Sequence, residues 1–201
     1  MQHPPIIFLD IDEVLWFTRV KMALQDTDGI DPVSTGMLRR ICDDTGAKLV
    51  ITSTWRSNPE RCKDMFDDHS LTPYLWSPVD DPLDDWRVES QNSSRSLAIC
   101  NWLDDHPDID VWAIFDDSRQ DFGTQMLSRL VHVNPLYGIG IDEYRRATKL
   151  LGFEDSGEGP KFTPRYTIAN LAKDALAALD QGDENAVRSI LETITTMPVA
   201  Q

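Results

Sequence analysis

The chain has 201 residues, a length that suits one domain of ordinary size. Hydrophobic residues make up 41% of the chain, which excludes a protein that is disordered throughout. With 34 acidic against 19 basic residues the net charge is -15, so the overall field repels nucleic acid and anionic lipid. Long nucleic acid is therefore a disfavoured but not excluded partner, and a polyanion would have to be met by a local basic patch.

The sequence shows no signal for a membrane or for an oxidising compartment. No stretch approaches 18 consecutive apolar residues, and the first residues lack the basic start of a secretion signal. The three cysteines, Cys42, Cys62 and Cys100, form no CxxC pair, so we expect reduced thiols rather than a disulfide framework or a zinc site. These features predict a soluble, cytoplasmic protein with no membrane partner.

Four short apolar runs predict the strands of a parallel sheet. They are residues 5–15 (PIIFLDIDEVL), 48–52 (KLVIT), 111–115 (VWAIF) and 130–133. Apolar residues at helical spacing predict helices over 32–45, with Gly46 as the stop signal, and over 97–103. Alternating strands and helices indicate an α/β fold with a doubly wound parallel sheet, whose site lies at the carboxyl ends of the strands.

Between residues 57 and 94 the strand and helix pattern weakens into a stretch that contains Pro, Asp and Trp. This stretch is longer than an ordinary connection, and it predicts a small cap over the site or an ordered loop. Trp76 and Trp86 are the candidates for a substrate lid, with simple packing as the alternative.

The last part of the chain is expected to be helical. A Gly- and Pro-containing linker follows Phe153, and apolar stripes at helical spacing cover 168–179 and 187–194. We therefore expect a main domain over 1–152, and over 153–201 a linker and a C-terminal helical hairpin. The hairpin would dock on the sheet or form a homodimer.

Three of the four predicted strands end in side chains that bind phosphate or metal. These side chains are Asp10 and Asp12 towards the end of the first run, Thr52 and Ser53 at the end of the second, and Asp116 and Asp117 at the end of the third. Adjacent strand ends in a parallel sheet lie close together, so we expect all six groups in one small volume. The hydroxyls of Thr52 and Ser53, with the backbone amides that follow, are suitable donors for a phosphate.

The four aspartates predict a metal site. Asp10 and Asp12 are expected on the same side of the strand, so that one can attack a substrate while the other handles a proton. Four carboxylates this close together are unstable without a cation, and a set of oxygen ligands selects Mg²⁺. The sequence therefore predicts that Asp10, Asp12, Asp116 and Asp117 hold Mg²⁺.

Two residues after the predicted phosphate hydroxyls are candidate substrate contacts. Trp55 offers an aromatic face and Arg56 a fork of donors that could receive a base or a sugar. Packing of Trp55 in the core is an equally good interpretation of the sequence.

The order of these motifs resembles that of the haloacid dehalogenase (HAD) superfamily, whose members are mostly Mg²⁺-dependent phosphatases. The resemblance covers residues 5–150 and rests on IIFLDIDEVL, LVITSTWR, a basic residue that opens a helix, and AIFDDS. TSTWR and FDDS are similar to a compact subgroup found in phage and nucleic-acid end-repair proteins. The resemblance implies that Asp10 is the nucleophile that accepts the phosphoryl group. It also implies that Asp12 protonates the leaving oxygen and later activates water.

The resemblance assigns roles to further residues. Thr52, or Ser53 if the strand ends one residue later, would bind the phosphate, and Asp116 would be the more direct metal ligand of the DD pair. Arg95 would offset the phosphate charge; it is preferred over Lys63 and Arg87 because of its position. The chain departs from the family at Glu13, where the family usually has Gly.

The sequence thus predicts a Mg²⁺-dependent phosphomonoesterase that works through an aspartyl-phosphate intermediate. The net charge favours a nucleotide or another small phosphorylated metabolite as substrate. One alternative is a phosphatase for 3′ or 5′ polynucleotide ends, for which the obvious basic residues are Arg56, Arg61, Lys63 and Arg87. Another is a non-catalytic HAD scaffold that engages a protein through its C-terminal helices.

Overall fold

The structure is a computed structural model, and it describes residues 3–23, 29–77, 86–88 and 94–153. The chain divides into two compact units, Met1–Glu154 and Asp155–Gln201, each with most of its contacts inside itself. The second unit lies outside the described residues, as do 78–85 and 89–93. The predicted domain boundaries, cap, linker, helical hairpin and homodimer therefore stay predictions.

Four parallel strands form one sheet, as the sequence predicted. Their order is β2-β1-β3-β4, with β1 at Ile6–Leu9, β2 at Lys48–Ile51, β3 at Trp112–Asp116 and β4 at Leu130–His132. Every residue of β1 is fully buried, which is typical of a central parallel strand covered on both faces.

The strand register brings three predicted site residues to the same level. Leu9 at the end of β1 lies opposite Ile51 on one side and Phe115 on the other. The pairing continues by one step, because Asp10 N donates to the Phe115 carbonyl and Thr52 N to the Leu9 carbonyl, both at 2.9 Å. β2 and β3 flank β1 on opposite sides, so this point is a topological switch, where open α/β sheets bind ligands.

Six helices surround the sheet in the described residues. They are α1 (Thr18–Ala23), α2 (Pro32–Thr45), α3 (Pro59–Asp68), α4 (Arg95–Asp105), α5 (Thr124–Leu127) and α6 (Ile141–Leu150). Short 3₁₀ turns occupy Thr54–Ser57 and Thr72–Tyr74. None of these helices has the length and apolar character needed to cross a membrane.

The predicted helix over 32–45 is confirmed together with its stop signal. Asp31 caps α2 by accepting a hydrogen bond from Ser34 N at 2.9 Å. Gly46 ends the helix with φ 70°, in the left-handed region that glycine enters without steric cost. Helix α2 packs against α6.

The stretch after β2 contributes to the core. Trp76 and Trp86 are only 7% and 4% exposed and belong to the main hydrophobic cluster. The backbone near them forms isolated parallel bridges with β2, at Leu75 and at Arg87. The lid interpretation of the two tryptophans is therefore wrong: these rings pack beside the edge of the sheet.

The three cysteines are unpaired in the structure. Cys42 and Cys62 are buried and Cys100 is exposed. Burial raises the pKa of both Cys42 and Cys62 to about 12, so neither forms the nucleophilic thiolate at neutral pH.

The turn after β1 ends that strand earlier than the sequence predicted. The amides of Val14, Leu15 and Trp16 all donate to the carbonyl of Ile11, at 3.2, 2.9 and 2.8 Å. This tight turn bends the chain away from the sheet, so β1 stops at Leu9 instead of running to Leu15.

Glu13 adopts a left-handed conformation in this turn, with φ 57°. A side chain costs free energy there, and this is the position where the family usually has Gly. The carboxylate compensates by accepting hydrogen bonds from Thr18 N at 3.2 Å and Thr18 Oγ1 at 2.6 Å. The Glu13 side chain therefore stabilises the start of α1, while its left-handed backbone conformation costs free energy.

We expect Glu13→Gly to change the free energy of unfolding by less than about 0.5 kcal/mol, because relief of the strain offsets the lost hydrogen bonds. Glu13→Ala keeps the strained Cβ and loses both bonds, so it should destabilise the protein by about 1–2 kcal/mol. Equilibrium unfolding in urea, followed by tryptophan fluorescence, measures both. Equal destabilisation by the two substitutions would contradict this account.

Candidate active site

Three carboxylates meet at the carboxyl ends of β1 and β3. Oxygens of Asp10, Asp116 and Asp117 all lie within 4.8 Å of one another. Asp10 is 3% exposed, Asp116 is fully buried and Asp117 is half-buried. The backbone holds two of the carboxylates in place, because Ile11 N donates to Asp10 Oδ1 and Ser118 N to Asp116 Oδ1, both at 2.8 Å. We call Asp10, Asp116 and Asp117 the acidic trio.

Arg95 lies between two members of the acidic trio. Its Nη1 is 2.9 Å from Asp10 Oδ2, it also donates to Asp116 Oδ2, and Asp121 Oδ2 is 4.0 Å away. Arg95 opens α4, whose N-cap Ser94 accepts a hydrogen bond from the amide of Leu97 at 3.3 Å. The residue with the best position in the sequence is thus the one that contacts the trio.

The two other basic candidates lie elsewhere. Lys63 Nζ is 5.5 Å from the ring centroid of Trp86, and the guanidinium of Arg87 is 5.9 Å from the same centroid. The sequence offered no way to separate Arg95 from these two except its place before β3.

The negative charge of the acidic trio exceeds the positive charge that Arg95 provides. Burial raises the pKa of Asp116 to about 7, even though Arg95 lowers it, and the charge of Asp10 adds to the rise. Burial also raises the pKa of Asp10, against the opposing effect of Arg95, and burial raises the pKa of Asp117. One arginine therefore does not fully stabilise three neighbouring carboxylates.

The guanidinium of Arg95 stays protonated in this setting. Burial lowers the pKa of Arg95, but the charges of Asp10 and Asp116 raise it by more, so the net change is upward. The chemistry of the trio fits a small divalent cation, because all the ligand atoms are carboxylate oxygens and their ionised forms lack counter-charge.

The carboxylate of Asp12 lies apart from those of the other three predicted metal ligands. Its Oδ1 accepts a hydrogen bond from Trp55 Nε1 at 2.8 Å, and its Oδ2 lies 3.4 Å from the hydroxyl of Thr54. The oxygens that could share an ion come from the acidic trio and not from Asp12. The prediction assumed that strand alternation continues to Asp12, but β1 ends before Asp10 and the turn directs the Asp12 carboxylate to the 3₁₀ turn.

The two candidate phosphate hydroxyls differ in their surroundings. Thr52 Oγ1 is buried and has no hydrogen-bond partner among the described residues. The hydroxyl of Ser53 hydrogen-bonds to Asp10, and its oxygen lies 3.5 Å from Trp55 N. Thr52 therefore carries the uncommitted hydroxyl at this strand end.

Trp55 and Arg56, the predicted substrate contacts, make internal hydrogen bonds. Arg56 Nη1 donates to the carbonyl of Ser53 at 2.8 Å and to that of Thr52. Burial lowers the pKa of Arg56, and the nearby charge of Arg95 lowers it further. The bond from Trp55 to Asp12 had no signal in the sequence, since the spacing of residues does not show which way the 3₁₀ turn directs an indole N–H.

Comparison with known families identifies the chain. A family model described as the HAD domain in Swiss Army Knife RNA repair proteins matches residues 6–143, a range that includes Arg95 and the acidic trio. Comparisons with curated proteins and with solved structures found no significant match. The family match and the parallel sheet confirm the predicted HAD-like fold and support a phosphatase-type function. The chain belongs to the family of HAD domains of Swiss Army Knife RNA repair proteins.

Proposed function

We propose that this protein is a Mg²⁺-dependent phosphomonoesterase that forms an aspartyl-phosphate on Asp10. The observation that carries the proposal is the acidic trio in contact with Arg95 at the switch point of the sheet. Buried carboxylates with raised pKa values cost stability, and such clusters are typical of sites that bind a charged ligand. A non-catalytic scaffold would gain nothing from buried carboxylates that destabilise it.

The proposal gives each residue around the trio a task. Asp10, Asp116 and Asp117 would hold Mg²⁺, which supplies charge neutralisation for a phosphate that approaches a carboxylate. Arg95 would offset further phosphate charge from its place beside Asp10. Thr52 would donate its uncommitted hydroxyl to a phosphate oxygen.

The chemistry divides into two displacements at phosphorus. In the first, the Asp10 carboxylate attacks phosphorus, the bond to the ester oxygen breaks, and the carboxyl of Asp12 gives that oxygen a proton. In the second, Asp12 takes a proton from water as the water oxygen attacks phosphorus, and the bond to Asp10 breaks. Inorganic phosphate leaves and both aspartates return to their first state.

A phosphorylated RNA end is the substrate that we favour. The family match points in this direction, because the matching domains come from RNA repair proteins. The exposed side chains of Arg61 and Lys63 also lie on α3, which contacts the 3₁₀ turn after β2, and they would give the phosphates of an RNA strand local positive charge. The net charge of -15 supports the alternative, a nucleotide or another small phosphorylated metabolite.

Release of phosphate from matched substrates tests the proposal. Oligoribonucleotides with a 3′ or a 5′ phosphate, the corresponding mononucleotides and p-nitrophenyl phosphate are compared with and without Mg²⁺ over a salt series. We expect Mg²⁺-dependent release, with the oligoribonucleotide favoured at low salt and less so at high salt. Preference for the mononucleotide would support the small-substrate alternative. The absence of release from every ester would support the non-catalytic scaffold.

Thr52→Val should separate stability from phosphate binding. Valine has a similar shape and removes a buried hydroxyl that has no partner in the part of the chain that the structure describes, so we expect the unliganded protein to gain about 1 kcal/mol of stability. We expect the inhibition constant of vanadate, a phosphate mimic, to rise about tenfold, because a hydrogen bond to a charged group is lost. Thermal unfolding and inhibition kinetics measure the two effects.

Thr148→Val is the matched control for this substitution. Thr148 is also buried, but it lies in α6 and its hydroxyl donates to the Tyr144 carbonyl at 3.0 Å. This variant should not gain stability and should bind vanadate as the wild type does. Unchanged vanadate inhibition in Thr52→Val would remove Thr52 from the phosphate site.

A further inference from the structure

The carboxylate of Asp12 is held by the 3₁₀ turn that follows β2. Trp55 Nε1 donates to Asp12 Oδ1 at 2.8 Å, which is a good hydrogen-bond length, while Thr54 Oγ1 approaches Oδ2 only to 3.4 Å. An indole has one N–H and no acceptor, so Trp55 commits the only polar atom of its side chain to this carboxylate.

The turn that carries Trp55 is itself braced. Arg56 Nη1 donates to the carbonyls of Thr52 and Ser53, and Arg87 Nη1 donates to the carbonyl of Arg56 at 2.9 Å. The guanidinium of Arg61 lies 4.7 Å from the ring centroid of Trp55. These contacts restrict both the backbone of the turn and the plane of the indole.

We propose that Trp55 is a positioning residue that orients Asp12 for the two proton transfers, an inference that rests on the proposed phosphatase function. The indole N–H binds Oδ1 and leaves Oδ2 as the oxygen that gives and takes the proton. Among the described residues, the hydrogen-bond contact of Oδ2 is the long one with Thr54. A donor-only group suits this task because it cannot accept the proton that Asp12 must deliver. Trp55 therefore acts through Asp12 and needs no contact with the substrate.

This role predicts a specific dependence on the leaving group. A ribose oxygen leaves poorly without a proton from Asp12, whereas p-nitrophenolate leaves readily without one. The second displacement needs Asp12 as a base for both esters, since both give the same aspartyl-phosphate. Loss of the indole N–H should therefore slow the first step for the ribose ester and the second step for both.

Trp55→Phe tests the inference, because it keeps an aromatic ring for Arg61 and removes the donor. With a 3′-phosphorylated oligoribonucleotide, we expect kcat to fall about 10–100-fold with little change in KM. With p-nitrophenyl phosphate, we expect an initial burst of one nitrophenolate per enzyme, followed by slow turnover. Trp112→Phe is the matched control, because Trp112 is also half-buried but begins β3 at the opposite end from the site.

A double-mutant cycle gives a second readout. Once Asp12→Asn has removed the proton-transfer group, adding Trp55→Phe should reduce the rate by less than about twofold. If Trp55→Phe does not fold, benzothienylalanine at position 55 replaces the N–H by sulfur in a ring of similar shape. The same kinetics are then expected from that protein.

The outcomes separate this inference from the proposed function. Equal losses with both esters and no burst, or a rise in KM alone, would overturn the positioning role and indicate a structural or substrate-binding one. An active wild type with an unaffected Trp55→Phe would overturn the inference alone. An inactive wild type on both esters would overturn the proposed function and this inference with it.

Discussion

We expect Asp10→Asn to reduce Mg²⁺-dependent phosphate release by at least about 10³-fold, because the neutral amide lacks the charge and nucleophilicity of the carboxylate that attacks phosphorus in the proposed mechanism. The size of the effect follows from the position of Asp10 in the site. Its side chain contacts Arg95 and belongs to the acidic trio, so under the proposed mechanism the substitution removes the nucleophile and a metal ligand together. Few single substitutions in this protein touch two functions in this way.

Chemical trapping distinguishes the loss of a nucleophile from a general loss of activity. Acid quenching of a reaction with a ³²P-labelled ester should leave acid-stable, hydroxylamine-sensitive label on the wild type and none on Asp10→Asn. Asp108→Asn is the control, since the Asp108 side chain is 83% exposed and its ion-pair contact is with His3 at 4.0 Å. Equal metal-independent background from wild type and Asp10→Asn would contradict the proposal and favour the non-catalytic scaffold.

Much of the sheet could be predicted because buried strands require runs of apolar residues, which are visible in the sequence. A strand covered on both faces must be apolar throughout, and β1 and β2 are short apolar runs whose last residues precede polar groups. The limits of α2 were also readable, since a capping side chain and a left-handed glycine act locally.

Part of the site could be predicted for the same reason. Parallel strands bring their carboxyl ends together, so the approach of Asp10 to Asp116 follows from topology alone. The place of Asp12 did not follow, because the rule of alternating faces holds only inside a strand. Once the turn at Ile11 ends β1, the direction of the next side chain depends on tertiary contacts with the 3₁₀ turn.

Contacts between distant parts of the chain account for the other differences. Trp76 and Trp86 stand in a stretch whose local composition predicts a loop, yet isolated bridges to β2 bury them in the core. The contact of Arg95 with Asp10 spans 85 residues, and its position before the last motif strand was the one clue to it.

The second large effect that we expect is a gain of stability at neutral pH in metal-free Asp116→Asn. Asp116 is fully buried, and its raised pKa of about 7 means that ionisation is costly in the folded protein. The gap from the ordinary value of 3.8 corresponds to a cost on the order of 4 kcal/mol when the group is fully ionised. Asparagine has similar size and carries no charge, so it avoids this cost.

The stability difference between Asp116→Asn and the wild type should increase with pH. Between about pH 4 and pH 7 the folded wild type holds a proton on Asp116 that the unfolded chain has released. Stability of the wild type from this group is therefore greatest at low pH and falls as the pH rises through the folded pKa. Asp116→Asn lacks this loss, so its advantage should be small near pH 4 and reach its full value above pH 7.

Mg²⁺ should reverse the order of the two proteins. A cation that binds the acidic trio of the folded wild type would stabilise it in proportion to the logarithm of its concentration. Asp116→Asn lacks one carboxylate of the trio, so it should respond little. Thermal unfolding at pH 5 and pH 8, with EDTA or with Mg²⁺, measures all four conditions. We expect Asp116→Asn to unfold about 5 °C or more above the wild type at pH 8 in EDTA, and to lose this lead in Mg²⁺. If the difference in unfolding temperature is the same at both pH values, the charge of Asp116 does not destabilise the folded protein. If Mg²⁺ leaves the difference intact, Asp116 is not a metal ligand.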